Sequence, residues 1–370
     1  MKIVIIARNC FPKLGPRSHR ATELAKELAR QGHEVVLYAL LGNYNYMSFE
    51  KETKVKVKNL GISKFGISDN TEFSKRNYFY RAIRKFLGKY LEFPNIELVS
   101  MVKNALECEN NIDYLITIAS PHTIHWGASG FIKKNKGKVK FWVADCGDPF
   151  MKNPFHPHPF YFKNVEKKWG KLCNYITVPI KEAKKAYYPE FSGKIKVIPQ
   201  GFSFRDIRLF DYTPNTIPTF AYSGIVYDGL RDPTEFLKYL STLKSDFRFI
   251  VYTKSVSAFN QFKHRLGNKL EIRDYIPREE LIYELSKMDF LINFKNKSGV
   301  QQPSKLIDYA TSKRPILDID TSFDQKDIFH EYLDANYSRG KVVHNIERFN
   351  IENVARSFII LKEEYSETVL

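Results

Sequence analysis

Two residues with complementary chemistry, Lys305 and Asp308, stand three positions apart in the stretch PSKLIDYATSKRPIL. Pro303 can occupy the first turn of a helix, and residues three apart lie on one helix face. The spacing therefore predicts a cation and a carboxylate side by side at a helix start, where free backbone N–H groups such as that of Ser304 attract anions. Lys305 could meet a phosphate, and Asp308 could accept two sugar hydroxyls. A satisfied Lys–Asp pair on an ordinary α/β helix explains the pattern equally well.

The elements around this stretch must position these side chains. The apolar runs at residues 289–294 and 315–319 suit buried parallel strands, which gives the order strand, helix, strand. A similar unit opens the chain, with a strand at 2–7, a helix at 20–31 and a strand at 34–40. Later loops, such as residues 145–149, follow strands in the same way, at the sheet edge where open α/β sheets bind ligands. A further helix is predicted at residues 181–188. The pattern predicts an α/β protein, and no GxGxxG motif indicates a dinucleotide.

Two histidines, His156 and His158, stand two positions apart in NPFHPHPFYF, a spacing that could suggest a metal. The interleaved prolines and the lack of a third nearby ligand favour a mobile loop instead. The four cysteines show no CxxC spacing, which indicates neither a zinc ribbon nor a redox motif. A reducing cytoplasm fits this cysteine usage best.

The composition excludes a disordered chain, because 43% of residues are hydrophobic and 15% are aromatic. The length of 370 residues predicts two domains, and no segment reaches the roughly 18 apolar residues of a membrane span. The formal net charge of +17 predicts anionic partners. No helix-turn-helix, zinc or RNP-like pattern supports nucleic acid among them.

Much of the positive charge lies in residues 51–90, which hold 11 Lys or Arg against three acidic residues. Within this segment Phe79, Ile83, Phe86 and Tyr90 recur at helical spacing while basic residues occupy other faces. This composition is typical of an amphipathic helix at an anionic membrane surface. A helix that faces the protein core with a solvated basic side fits equally well.

Several motifs resemble one family of enzymes. PSKLIDYATSKRPIL is similar to the donor-site helix of GT-B glycosyltransferases, particularly the large retaining family numbered four, whose members read close to PSKLYEYLAAGKPVL. LAKELARQGHEV resembles the family pattern LAxxLxxxGHEV, and SPH and DCGDP look like its SPP and DxRDPW segments. The resemblance implies a GT-B fold of two Rossmann-like α/β domains that face each other across a cleft. Residues 1–205 would bind the acceptor and 206–350 the nucleotide sugar, with a C-terminal helix in 351–370 packing back on the first domain.

The resemblance also implies a donor site. Asp308 would hold the ribose, Gly224 would allow the diphosphate to approach, and the loop of Tyr275 and Ile276 would hold the nucleobase. The sequence departs from the family pattern at Val300, where an acidic residue is common, and at Ile225, where arginine is usual. The full predicted donor set is Gly15, Gly224, Arg231, Lys254, Tyr275, Ile276, Gln302, Ser304, Lys305 and Asp308.

For the acceptor, the same resemblance implies that His122 orients a sugar hydroxyl and that Asp148 accepts the proton of the acceptor. A histidine or aspartate in a loop is otherwise more often a cap or turn residue. The predicted acceptor set is Arg17, His156 and His158. The predicted catalytic set is His122, Asp148, Arg231 and Lys305.

The implied reaction moves a hexose-type group from a nucleoside diphosphate sugar, expected to be UDP-linked, to a hydroxyl with retention. It needs neither a metal nor a cofactor, and it belongs to bacterial surface polysaccharide biosynthesis, with a glycan or polyprenyl-diphosphate-linked acceptor. The expected location is the cytoplasm, peripherally at the inner membrane face. Two alternatives stay open: a UDP-sugar 2-epimerase, and a non-catalytic scaffold that binds anions or nucleotides, which the departures at Val300 and Ile225 favour.

Overall fold

The computed structural model describes residues 1–13, 15–65, 78–153, 156–205, 207–226, 231–295 and 305–369. The chain divides into two compact units, an N-terminal unit of Met1–Ser203 with Arg348–Leu370 and a C-terminal unit of Phe204–Glu347. Each unit is built on one parallel sheet with helices, as predicted. No helix in the described residues combines the length and apolar character needed to cross a membrane.

The N-terminal unit is a seven-stranded sheet between two layers of helices. Its strands are β1 (Lys2–Ile6), β2 (Glu34–Ala39), β3 (Val55–Asn59), β4 (Tyr114–Ala119), β5 (Trp142–Cys146), β6 (Tyr175–Val178) and β7 (Ile195–Val197), in the order β3-β2-β1-β4-β5-β6-β7. Its first helices are α1 (Pro16–Arg30), α2 (Met47–Thr53), α3 (Tyr78–Leu91), α4 (Leu98–Glu107), α5 (Thr123–Lys134) and α6 (Phe162–Leu172). Ile3 and Ile5 pack in one core cluster with α1, and Val4 and Ile6 pack in another with α4 to α6. Successive residues of a strand point to opposite faces, so both faces of the sheet are covered.

The C-terminal unit repeats this plan with five strands. They are β8 (Thr219–Ser223), β9 (Arg248–Tyr252), β10 (Leu270–Arg273), β11 (Phe290–Phe294) and β12 (Ile316–Ile319), in the order β10-β9-β8-β11-β12. Its helices are α7 (Thr234–Leu240), α8 (Val256–Leu266), α9 (Arg278–Ser286), α10 (Lys305–Thr311) and α11 (Lys326–Leu333). Because β8 and β11 are parallel neighbours, the segments that follow them leave the same edge of the sheet.

The last helix, α12 (Ile351–Val369), belongs to the N-terminal unit. Val354 and Phe358 of α12 share a core cluster with Leu24 of α1. The hydroxyl of Tyr114 on β4 donates a hydrogen bond of 3.0 Å to the backbone oxygen of Phe358. Helix α12 therefore packs on the N-terminal unit through apolar contacts and a buried hydrogen bond to β4.

Two element boundaries differ from the sequence-based expectation. Helix α1 begins at Pro16 rather than at Arg20, because a proline at the first helical position loses no hydrogen bond. Strand β5 continues through Asp145, which was expected in a loop. The carboxylate of Asp145 can lie inside the protein because it pairs with the buried guanidinium of Arg20.

A third difference concerns residues 181–188, where an α-helix was expected. The structure has only a 3-10 segment, Lys181–Ala186. Tyr188 precedes Pro189 and has an extended backbone, since the proline ring disfavours the helical conformation in the residue before it.

Candidate functional site

The loop after β8 and the first residue of α10 meet in the C-terminal unit. Gly224 has a φ of +141°, and a Cβ at this position would lie 3.3 Å from the hydroxyl oxygen of Tyr222 and 3.7 Å from Cδ of Lys305. The hydroxyl of Tyr309 on α10 accepts a hydrogen bond of 2.7 Å from the backbone N–H of Ser223. Glycine is needed here because its backbone conformation is one that other residues rarely adopt. The Tyr309 bond fixes the loop against the helix.

Lys305 is buried, with only 9% of its surface exposed. Its ammonium lies 4.4 Å from the centre of the Tyr222 ring and has no hydrogen-bond partner in the part of the chain that the structure describes. Burial lowers the pKa of Lys305 well below its ordinary range, and repulsion from Arg231 lowers it further, whereas Asp318 opposes the shift. A buried ammonium beside a second cation is poorly stabilised by its surroundings. The pair is therefore suited to receiving an anion.

Asp308 lies one helical turn after Lys305 and is already paired. Its Oδ1 accepts a hydrogen bond of 2.7 Å from Nε of Arg278, and the two side chains are 16% and 21% exposed. Burial raises the pKa of Asp308, while the charge and hydrogen bond of Arg278 oppose the increase. The hydrogen bond from Arg278 therefore orients the carboxylate of Asp308.

Sequence reasoning missed Arg278. It is the first residue of α9, where a cation is unfavourable next to the positive end of the helix dipole. That unfavourable position was the available signal that Arg278 has a partner elsewhere. The structure supplies the partner, Asp308, thirty positions further along the chain.

The other predicted donor residues fall into four groups. Lys254 is exposed and places its ammonium 5.2 Å from the ring centre of Tyr275, which is itself 54% exposed. Ile276 packs against the core cluster that contains Leu306 and Tyr309. Gly15 lies in the N-terminal unit and directly precedes α1. The predicted residues Gln302 and Ser304, together with Pro303 and Val300, lie outside the described residues.

In the N-terminal unit, Arg17 is held by a buried carboxylate. Its Nη1 is 3.4 Å from Oδ2 of Asp145, and its Nη2 donates a hydrogen bond of 2.8 Å to Oε1 of Gln200. Gly147 makes room for this guanidinium, since a Cβ there would lie 2.7 Å from Cζ of Arg17. Burial lowers the pKa of Arg17, and the charge of Asp145 opposes the shift. The sequence pattern did not single out Asp145 or Gln200 as the partners that orient Arg17.

Asp148 and His122 differ sharply in their surroundings. Asp148 is exposed, and its charge acts on Arg17. His122 is only 4% exposed and packs against the rings of Phe150 and His125, at centroid distances of 5.0 Å and 5.5 Å. Burial lowers the pKa of His122 well below its ordinary range, so its ring is neutral at physiological pH. Its role toward a sugar hydroxyl stays a prediction.

The two histidines of the proline-rich loop do not share an environment. His156 is exposed, and its backbone N–H donates to Oδ1 of Asn153. His158 is sheltered, with its ring 4.0 Å from that of Phe150 and its Nδ1 3.2 Å from a carboxylate oxygen of Glu92. Contact of either histidine with an acceptor stays a prediction.

No family model matches this chain, and no curated protein matches it. Solved structures do match over nearly the whole chain. Sucrose-phosphate synthase from Thermosynechococcus elongatus aligns with a TM-score of 0.65 and 12% identity over 99% of both chains. A glycosyltransferase from Rickettsia africae gives 0.62 and 14% over 98% of both chains. HepE from Anabaena, solved with UDP-glucose, gives 0.61 and 10% over 99% of this chain and 100% of that one. The chain therefore has the predicted GT-B fold.

Proposed function

We propose that this protein is a glycosyltransferase that moves a sugar from a nucleoside diphosphate sugar, with uridine as the base, to a hydroxyl of a glycan or lipid-linked glycan. The bond between the anomeric carbon and the diphosphate breaks, and the acceptor oxygen takes its place with retention. The proton of the acceptor leaves to a base, for which Asp148 is our candidate. The reaction belongs in surface polysaccharide assembly and uses protein cations in place of a metal.

The observation that carries the proposal is the buried ammonium of Lys305 beside Gly224 and Arg231. Negative charge develops on the leaving diphosphate, and preorganised cations in a site with little water stabilise such charge strongly. The fold adds support, since HepE, which shares it, was solved with UDP-glucose. Together the fold and the pair of cations favour a nucleoside diphosphate over other anions.

The first prediction concerns nucleotide binding. UDP should raise the thermal unfolding midpoint of the wild type more than GDP, ADP or CMP does, because a ligand that binds only the native state stabilises it. Asp308→Ala should remove most of the increase, since loss of hydrogen bonds to the ribose weakens binding by about 10- to 100-fold. Asp246→Ala removes a carboxylate that is 81% exposed in the same unit and should leave the increase unchanged. No shift with any of the four nucleotides would contradict the proposal.

The structure adds one observation in favour of the scaffold alternative, namely that Asp308 already has a partner in Arg278. A protein that only binds nucleotides would show the UDP-dependent shift without turnover. Release of UDP from UDP-sugars, measured with and without glycan acceptors, separates the two functions. Turnover that Asp308→Ala lowers in parallel with the thermal shift favours the transferase.

A second prediction concerns the membrane surface. On α3, Ile83 and Phe86 are 41% and 59% exposed, while the exposed cations Arg81, Lys85 and Lys89 follow one another at intervals of four residues. Residues at this spacing share a helix face, so an apolar and a basic surface run along the helix side by side. We expect the protein to sediment with vesicles that contain anionic lipid and to be released by salt.

The matched variants are Phe86→Ser on α3 and Val342→Ser, which replaces an apolar side chain that is 66% exposed in the C-terminal unit. Phe86→Ser should lower vesicle binding several-fold, and Val342→Ser should not change it. Binding that is insensitive to anionic lipid and survives high salt would contradict this part of the proposal.

A further inference from the structure

The N-terminal unit contains a buried cluster of two histidines and a cysteine, of which only His122 has a predicted role in sugar transfer. Potential ligand atoms of His122, His125 and Cys146 all lie within 4.8 Å of one another, and the residues are 4%, 0% and 0% exposed. No second cluster of this kind occurs among the residues that the structure describes. We propose that His122, His125 and Cys146 bind a zinc ion.

The separations suit zinc. Nε2 of His125 is 3.4 Å from Sγ of Cys146. Two such ligands on a tetrahedral zinc, with bonds of about 2.1 Å to nitrogen and 2.3 Å to sulfur, would lie about 3.6 Å apart. The third ligand atom, Nε2 of His122, is buried and has no hydrogen-bond partner in the described part of the chain. A metal ion would give this nitrogen the partner that the protein does not supply.

The hydrogen bonds of His125 direct a lone pair toward the cluster. The hydroxyl of Thr117 accepts a hydrogen bond of 2.8 Å from Nε1 of Trp142 and donates one of 3.5 Å to the backbone oxygen of Val143. Nδ1 of His125 lies 2.8 Å from the same hydroxyl oxygen and is the donor in the tautomer that binds a metal through Nε2. The proton on Nδ1 leaves Nε2 unprotonated, facing Cys146. Metal-binding histidines are commonly oriented in this way by an acceptor on the other ring nitrogen.

His122 is oriented similarly. Its ring forms a hydrogen bond with the backbone of Asp148, and the bond stabilises the protonated ring, as expected when the ring donates. Because Nε2 has no partner, the donor is Nδ1, and Nε2 again carries the lone pair. Burial keeps both imidazoles neutral, since it lowers the pKa of His122 strongly and that of His125 to about 3. Neutral imidazole is the form that binds a metal.

Nitrogen and sulfur donors favour zinc over magnesium and calcium, which prefer oxygen. Binding would convert the Cys146 thiol into a thiolate and release one proton to solvent, so that Zn²⁺ and a neutral thiol give a zinc thiolate and H⁺. The ion would tie α5, which carries His125 and follows His122, to the end of β5. It would thereby stabilise the segment that leads from Cys146 to Asp148. This role is structural and independent of the cations at Lys305.

The test uses the full chain, stripped with a chelator and titrated with Co²⁺ as a spectroscopic substitute for zinc. We expect one Co²⁺ per chain, a cobalt–thiolate charge-transfer band in the near ultraviolet and quenching of tryptophan fluorescence, because the Trp169 ring lies 4.8 Å from that of His125. Zn²⁺ should displace the cobalt and raise the unfolding temperature. Cys146→Ala should abolish the charge-transfer band.

Two further variants make the result decisive. Cys173→Ala removes another buried cysteine of the same unit and should keep the band. His122→Gln serves as the test if Cys146→Ala does not fold, because Nε2 of His122 has no hydrogen-bond partner in the described part of the chain. His122→Gln should weaken both the charge-transfer band and the affinity for Co²⁺. The absence of a charge-transfer band in folded wild type, or a band that survives Cys146→Ala, would overturn the proposal. None of these readouts depends on transferase activity.

Discussion

Replacing Lys305 with methionine should lower kcat for sugar transfer by about 100- to 1,000-fold, the cost of losing one preorganised donor to developing negative charge. The lysine stem lies beside Gly224 and its ammonium sits over the Tyr222 ring. Methionine has a similar length and no charge, and it suits a buried apolar position. The variant should therefore fold normally, and its unfolding temperature without nucleotide should equal or exceed that of the wild type, because burial disfavours the charged ammonium.

The control is Lys238→Met, which removes an exposed lysine of α7 that pairs with Glu235. It should leave kcat unchanged. Initial rates of UDP release at saturating donor separate a loss in kcat from weaker binding. If Lys305→Met retained most of the wild-type kcat, the ammonium could not be the group that stabilises the leaving diphosphate.

The same side chain determines how UDP binding depends on pH. Burial and Arg231 hold the pKa of Lys305 well below its ordinary range in the ligand-free protein. As the pH rises through this lowered pKa, the free protein loses the ammonium and affinity for UDP should fall by about tenfold per pH unit. Bound diphosphate favours the charged ammonium and raises the pKa of Lys305. At a pH above the pKa of Lys305 in the ligand-free protein, UDP binding should therefore take up a proton. Calorimetry in buffers of different ionisation enthalpy measures the uptake, and Lys305→Met should abolish it.

The proximity of Gly224 and Lys305 could be expected from the sequence alone. Each residue comes after an apolar run that reads as a buried strand, and loops after parallel strands gather at one edge of a sheet. The sheet order, with β8 beside β11, then brings the two residues together. The same rule supported the prediction of an α/β protein with two sheets, which the structure confirms.

The ionic partners could not be predicted in this way. Arg278 reaches Asp308 across 30 positions, and Arg20 reaches Asp145 across 125. Local spacing carries no information about such pairs, because they depend on how whole elements pack. His122 illustrates the same limit, since its sequence position after β4 suggested a loop residue near a ligand, while packing against Phe150 leaves it only 4% exposed. Burial of a polar side chain depends on its tertiary neighbours.

The buried ion pair of Arg20 and Asp145 leads to the largest expected effect on stability. Asp145 accepts hydrogen bonds from Nη2 of Arg20 at 3.0 Å, from Nε of Arg20 at 3.2 Å and from the Thr177 hydroxyl at 2.7 Å, and Arg17 lies on the same carboxylate. Asp145→Ala would leave the Arg20 guanidinium, which is 1% exposed, without its counter-charge. Removal of one partner from a buried pair costs about 3–5 kcal/mol in the free energy of unfolding.

Tryptophan fluorescence can report this loss selectively, since all three tryptophans, Trp126, Trp142 and Trp169, lie in the N-terminal unit. In urea, Asp145→Ala should unfold that unit at a much lower midpoint, whereas Lys140→Ala, which removes a lysine that is 62% exposed, should cost less than about 1 kcal/mol. The double variant Arg20→Met with Asp145→Ala should recover part of the loss, because it removes the more deeply buried of the two cations that pair with Asp145. Equal destabilisation by the single and double variants would show that packing, rather than the uncompensated guanidinium, determines the cost. The pair would then orient Arg17 without stabilising the unit through its charge.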